Sequence, residues 1–212
     1  MFKRILQGLL VTILAASTAT MGAEAAATAA ANATETTAHS VVEQVTDKLV
    51  TVTQKERALL DTDPQAYFSL VKGVLEPVVD FSFIARNVMG SYWQAATAEQ
   101  RERFVDTFKT SLIETYAKGM ANYSDLKIEI LPPAKDAEDE RRVGVVQEIT
   151  GPDGTNRVSY TMALNKAGEW KLINMVLNGV NLGKTFRNQF AQAAKQHDGN
   201  IDAVIKNWSA EA

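Results

Sequence analysis

The sequence predicts an α+β domain in which helices cover one side of a curved, four-stranded antiparallel sheet. Three observations lead there. Apolar residues recur at helical spacing from Val41 to Tyr116, the pattern changes to alternation in twos between Leu126 and Leu177, and helical spacing returns from Leu182. Helices first and hairpin strands afterwards is the order of an α+β fold, and a curved sheet of this kind makes a cone. Helices that do not fill the cone leave a pocket.

The chain opens Met1-Phe2-Lys3-Arg4, continues through a mostly apolar run from Ile5 to Ala16, and reaches Ala23-Glu24-Ala25 through small residues. Positive, then apolar, then small is the layout of a secretory signal peptide, so residues 1–25 are expected to be cleaved on export. The apolar run is shorter than the roughly 20 residues of a membrane-spanning helix, and no later segment supplies one. With no cysteine in the chain, lipoprotein processing, disulfides and thiolate metal sites are excluded. Residues 26–38, mostly Ala, Thr and Asn without apolar periodicity, read as a disordered leader, and residues 39–212 as one domain. The net charge is −3, and loss of Lys3, Arg4 and Glu24 makes it one unit more negative. Nothing provides the basic footprint that a nucleic acid requires.

Val41, Val42, Val45, Leu49, Val52 and Leu60 predict an amphipathic helix over 41–60. Asp61-Thr62-Asp63-Pro64 stops it and starts a second, with Asp63 as N-cap and Pro64 at the first helical position, ending near Leu75. Asp80 or Ser82 caps a third through Val88, and Gly90 ends it. The strongest helical signal starts between Ala95 and Thr97 and runs to about Ala121, because Phe104, Phe108, Leu112 and Tyr116 recur every four residues.

Leu126 to Ile130 alternates cleanly, Pro132-Pro133 breaks the strand, and an acidic loop from Asp136 to Glu140 leads to a second strand, Arg142 to Thr150. After the turn Gly151-Pro152-Asp153-Gly154, a third strand over 157–164 places Val158, Tyr160, Met162 and Leu164 on one face. The turn Asn165 to Gly168 leads to a fourth strand, Trp170 to Leu177. Both its alternations are apolar, Ile173, Met175 and Leu177 on one and Leu172 and Val176 on the other, so it is covered on both faces or lines a pocket on one. Gly179 ends it. A helix over 181–195 carries Leu182, Phe186 and Phe190, and a short helix follows around Ile201 to Trp208.

No catalytic set is legible. His39 sits at the edge of the leader and His197 in a late charged segment, both expected at the solvated surface. There is no G-x-S-x-G elbow and no phosphate-binding glycine loop. The acidic run 136–140 lacks EF-hand spacing and reads as a solvated loop, so no metal is expected. An isomerase-like enzyme on the same cone would need a buried carboxylate, and Glu148 is the only acidic residue within the central part of the predicted strands 142–150, 157–164 and 170–177. What remains is a surplus of large apolar side chains, whose spacing fits a filled core and a pocket wall equally well.

Phe81-Ser82-Phe83-Ile84-Ala85-Arg86-Asn87-Val88-Met89-Gly90-Ser91-Tyr92-Trp93, then Ala96 to Arg101 and the Phe104/Phe108 helix, resemble the MlaC family, the toluene-tolerance or Ttg2-type periplasmic proteins. Trp170-Lys171-Leu172 through Gly179-Val180-Asn181-Leu182 and on to Phe190 is similar to the family's strand, turn and closing helix. Asn174 stands where the family commonly has Asp, and Asn181 where it commonly has Ser. The resemblance implies a nuclear-transport-factor-like cone with an apolar pocket for phospholipid tails. It further implies a soluble periplasmic carrier, expected as a monomer, with no cofactor beyond its phospholipid cargo. Such a carrier shuttles lipid between an outer-membrane lipoprotein–porin complex and an inner-membrane ABC transporter bearing an MCE-domain ring, and so maintains outer-membrane lipid asymmetry. Pocket lining is implied for Val74, Phe83, Ile84, Val88, Tyr92, Phe104, Phe108, Leu112 and Tyr116 from the helices. From the sheet and its exit it is implied for Tyr160, Met162, Ile173, Met175 and Val180. Lys184 and Arg187 open the closing helix, either to meet an anionic headgroup or as a solvated face.

Overall fold

The structure is a computed structural model that describes residues 36–121, 126–133 and 141–210. The segments read from the sequence as signal peptide, leader up to residue 35 and acidic loop lie outside the described residues. Residues Thr37–Ala212 form one contact unit.

Among the described residues six helices come first: α1 (Ala38–Lys55), α2 (Leu59–Thr62), α3 (Pro64–Leu75), α4 (Phe81–Met89), α5 (Tyr92–Ala95) and α6 (Ala98–Ala121). Thr37 and Ala38, read from the sequence as the end of the leader, are instead the cap and first residue of α1. The Ser40 amide donates to Thr37 Oγ1 (3.1 Å) and the Thr37 amide to Ser40 Oγ (3.0 Å), a reciprocal pair that ties down two end donors of the helix. The helix stops at Lys55 rather than 60, and Leu59 and Leu60 belong to the separate turn α2. Asp63 Oδ1 accepts from the Ala66 amide ahead of Pro64. Asp80, not Ser82, caps α4, its Oδ1 accepting from the Phe83 amide at 2.8 Å. Thr97 and Gln100 repeat the reciprocal cap at α6.

The sheet is a meander of β1 (Lys127–Ile130), β2 (Arg142–Gly151), β3 (Gly154–Leu164), β4 (Trp170–Leu177) and β5 (Val180–Asn181), antiparallel throughout and ordered as numbered. The sequence predicts four strands; the fifth is a two-residue strand after Gly179. Gly179 takes φ +84°, which turns the chain back so that Val180 pairs with Leu177. The other half of the β4 edge is covered by the segment before α4, where the Asp80 amide donates to the Leu172 carbonyl (3.0 Å) and the Leu172 amide to the Val78 carbonyl (2.8 Å). No long open edge is left on that side.

The chain closes with α7 (Leu182–Gln196), capped by Asn181 Oδ1 on the Lys184 amide, and α8 (Ile201–Lys206). Between α4, α6, α7 and α8 lies a dense aromatic cluster. The Phe104 ring centroid is 4.9 Å from Phe190, 5.2 Å from Trp208 and 5.7 Å from Phe108. The tail is drawn over it, with the Ala210 amide donating to Ser111 Oγ at 2.6 Å. A second cluster joins Tyr67, Phe68 and Val71 of α3 to Phe81, Ile113 and Ala117. A third packs Ala38 and Val42 of α1 on Val145 and Met162 of the sheet. Between these clusters, space over the sheet stays open.

Candidate functional site

The open space is a cavity of ≈ 550 Å³ between the helices and the concave face of the sheet, within the size range of ligand pockets. Period-two alternation builds the floor. Val158, Tyr160 and Met162 of β3 point inward and pair with Leu177, Met175 and Leu172 of β4. In a regular strand Leu172 and Met175 would face opposite ways. They share the floor because the β3–β4 register shifts between Thr161 and Met162: Thr161 pairs with Asn174 and Met162 with Leu172, so Ile173 is the extra residue of a β-bulge. The bulge turns Leu172 onto the cavity and takes Ile173 off it.

Helical spacing builds the walls. Val42, Val45, Thr46 and Leu49 of α1 form one wall, and Phe108, Leu112, Ile113, Tyr116 and Ala117 of α6 another. Val71 and Leu75 of α3, Ile84 of α4, and Leu182 and Phe186 of α7 complete them. Met162 and Leu172, with Val78 bonded to the Leu172 backbone, line the end away from the β2–β3 turn. The rim is the β2–β3 turn, with Gly151 half-buried and Asp153, Gly154 and Asn156 exposed, together with exposed Gly119.

Of the side chains assigned to the pocket from the sequence, Ile84, Phe108, Leu112, Tyr116, Tyr160, Met162 and Met175 line the cavity. Seven lie elsewhere. Val74 sits on α3 between the lining turns marked by Val71 and Leu75, rotated off the wall by the helical period. Phe83 is 43% exposed and Val180 53% exposed. Val88, Tyr92 and Phe104 belong to the aromatic cluster that Phe190 of α7 and Trp208 after α8 fill, and Ile173 is the bulge. Lys184 is exposed, and Arg187 lays its guanidinium against the backbone at Gly90; neither lines the cavity. The sequence reading missed the α1 wall, although Val42, Val45 and Leu49 form a helical stripe. It also missed Leu172, whose inward turn depends on the bulge.

The chemistry of the lining is apolar with few polar groups. Gln147 is buried on the inner face of β2, its Nε2 donating to Thr46 Oγ1 (3.2 Å) and its Oε1 accepting from the Tyr160 hydroxyl (2.5 Å). Burial pushes the Tyr160 pKa up to about 12 and raises that of Tyr116, so both phenols are neutral near pH 7. The carboxylate among the lining residues, Asp153, lies at the exposed rim. Glu148 points to the outer face, paired with Arg157 at 3.0 Å. Apart from Asp153, no lining residue among those described is a carboxylate, histidine, lysine or arginine. Among the described residues no cluster of His, Cys, Asp or Glu could hold a metal, and no helix is long and apolar enough to cross a membrane. His39 is half-buried rather than solvated, and desolvation lowers its pKa.

The chain is 35% identical over 173 residues to the toluene tolerance protein ttg2D of Pseudomonas putida, covering 81% of this chain and 79% of that one. It is 31% identical over 176 residues to the intermembrane phospholipid transport system binding protein MlaC of Haemophilus influenzae, covering 81% and 80%. Its fold is similar to that of the phospholipid-binding protein of Ralstonia solanacearum solved in complex with a phospholipid. The TM-score is 0.73 and the identity 26%, over 81% of this chain and 94% of that one. The family model of the MlaC protein matches residues 43–210. By that match and by these relatives, the chain belongs to the MlaC family.

Proposed function

We propose that this protein is a periplasmic phospholipid carrier that holds acyl chains in the cavity and leaves the headgroup at the rim. One observation carries the reading: a deep cavity of ≈ 550 Å³ with an almost wholly apolar lining, open at a polar rim. Two acyl chains of about thirty methylenes, at roughly 0.8 kcal/mol each, cost on the order of 20 kcal/mol to expose to water. A carrier needs a dry wall for that surface, and few groups for a headgroup that stays hydrated. The relatives named for intermembrane phospholipid transport and for a bound phospholipid support this.

Carriage changes no covalent bond, so the reading asks for no enzyme activity. Export by way of residues 1–25, and exchange with an outer-membrane lipoprotein–porin complex and an inner-membrane ABC transporter with an MCE-domain ring, complete the proposal. Native mass spectrometry of protein purified from cells tests it. A bound mass equal to a phospholipid is the expected result. An empty protein that also takes up no lipid from phospholipid vesicles overturns the reading.

A further inference from the structure

An apolar cavity has no need of a paired set of hydrogen-bonding groups partway down its wall, yet this one carries such a pair, besides Tyr116 and Asn174 among its lining residues. Thr46 of α1 and Tyr160 of β3 both line the cavity, and both bond to the single carboxamide of Gln147, which is 2% exposed behind them. The two bonds leave complementary valences. Thr46 accepts from Gln147 Nε2, so its own proton is not used in that bond. Tyr160 gives its proton to Gln147 Oε1, so its lone pairs remain. The high pKa of the phenol keeps this arrangement unchanged across physiological pH. An alcohol, which accepts once and donates once, matches such a pair. A carbonyl uses only the Thr46 proton, and a methylene uses neither.

Depth says where on the cargo that alcohol sits. Tyr160 is four residues below the rim residue Asn156 on β3, about 13 Å at ~3.3 Å per strand residue. With the glycerol at the rim, a zigzag chain of bonds of about 1.5 Å reaches that depth near its tenth carbon. Ester oxygens held at the rim are too far away. Below the pair, Met162 and Leu172 offer only apolar surface to the chain end. We infer that Thr46 and Tyr160 form a recognition site for acyl chains carrying a hydroxyl group near mid-chain, so that the cavity selects among lipids by their tails. This rests on the reading of the cavity as an acyl-chain site.

The test gives the purified protein vesicles containing equal amounts of distearoyl phosphatidylethanolamine and its analogue with a mid-chain hydroxyl on one stearoyl chain. Native mass spectrometry then reads the ratio of the two complexes. The expected ratio favours the hydroxylated lipid roughly three- to tenfold, the worth of one net hydrogen bond. It falls to near one in Tyr160→Phe and in Thr46→Val, a comparison that cancels any difference in how readily the two lipids leave the vesicle. An analogue with its hydroxyl beside the terminal methyl shows no preference in the wild-type chain, a control that needs no variant to fold. Equal uptake of the plain and mid-chain lipids, an undiminished ratio in the variants, or equal favour for the chain-end isomer overturns the inference while leaving phospholipid carriage standing. Uptake of neither lipid sinks carriage and the inference together.

Discussion

Replacing Phe104 by Ala separates the filled half of the molecule from the hollow half. Phe104 and Phe108 are one turn apart on α6, yet only Phe108 lines the cavity. Phe104 is fully buried in the cluster of Phe190, Trp208 and Phe108, with edge-on contacts to the first two. Removing a buried Phe side chain costs about 3–5 kcal/mol, a figure that combines lost transfer energy with the void left behind. Edge-to-face pairs, at about 0.5–1.5 kcal/mol each beyond burial, place this site toward the upper end. For a domain of this size each kcal/mol moves Tm by roughly 2–4 °C, so the expected fall is about 6–20 °C. Thermal unfolding followed by circular dichroism measures it, and lipid content per folded molecule, read at low temperature, should match the wild-type chain. A fall in Tm smaller than about 3 °C, together with reduced lipid content, would refute the placement of Phe104 in a filled core.

Tyr160→Phe leaves Gln147 Oε1 buried without the phenol that bonds it and should cost about 1–3 kcal/mol in urea unfolding; a loss below about 0.5 kcal/mol, the scale of a neutral surface change, contradicts that bond. Gly183→Ala places a Cβ 2.7 Å from Asn174 Oδ1 and should destabilise by roughly 1–3 kcal/mol. Adding Asn174→Ala should recover most of the loss, and strict additivity in this double-mutant cycle would show that the two sites do not meet. Burial lowers the His39 pKa, so the unfolded chain takes up its proton at higher pH than the folded one. The stability that His39 contributes is therefore complete above about pH 6.5 and is lost as pH falls through the depressed folded value. His39→Gln should flatten the urea midpoint between about pH 7 and 5, and identical slopes in the two proteins would exclude His39 as the cause.

Residues that act through near neighbours were legible in the sequence. Asp63 before Pro64, the stripe from Phe104 to Tyr116, and the alternation Val158-Tyr160-Met162 each announce an element whose face is fixed by a local period. Asn181, noted as a departure from the family's Ser, serves as the cap of α7 because either side chain can accept from an N-terminal amide. The site was about half legible. Periodicity names a buried face but carries no sign of whether another side chain fills the space opposite, so Phe104 and Phe108 look alike until α7, α8 and the tail close over one of them. The bulge at Ile173 leaves no mark in an apolar strand, yet it exchanges Ile173 for Leu172 on the cavity floor.

The order of elements, most of their caps and turns, and which faces are apolar are written in the chain, because these follow from spacing within one turn or one hairpin. Where the apolar surplus is core and where it is wall depends on how distant elements pack. A cavity is a property of what fails to meet across it, between α1, α6 and a bulged β4 that are distant along the chain, and no local rule counts an absent neighbour.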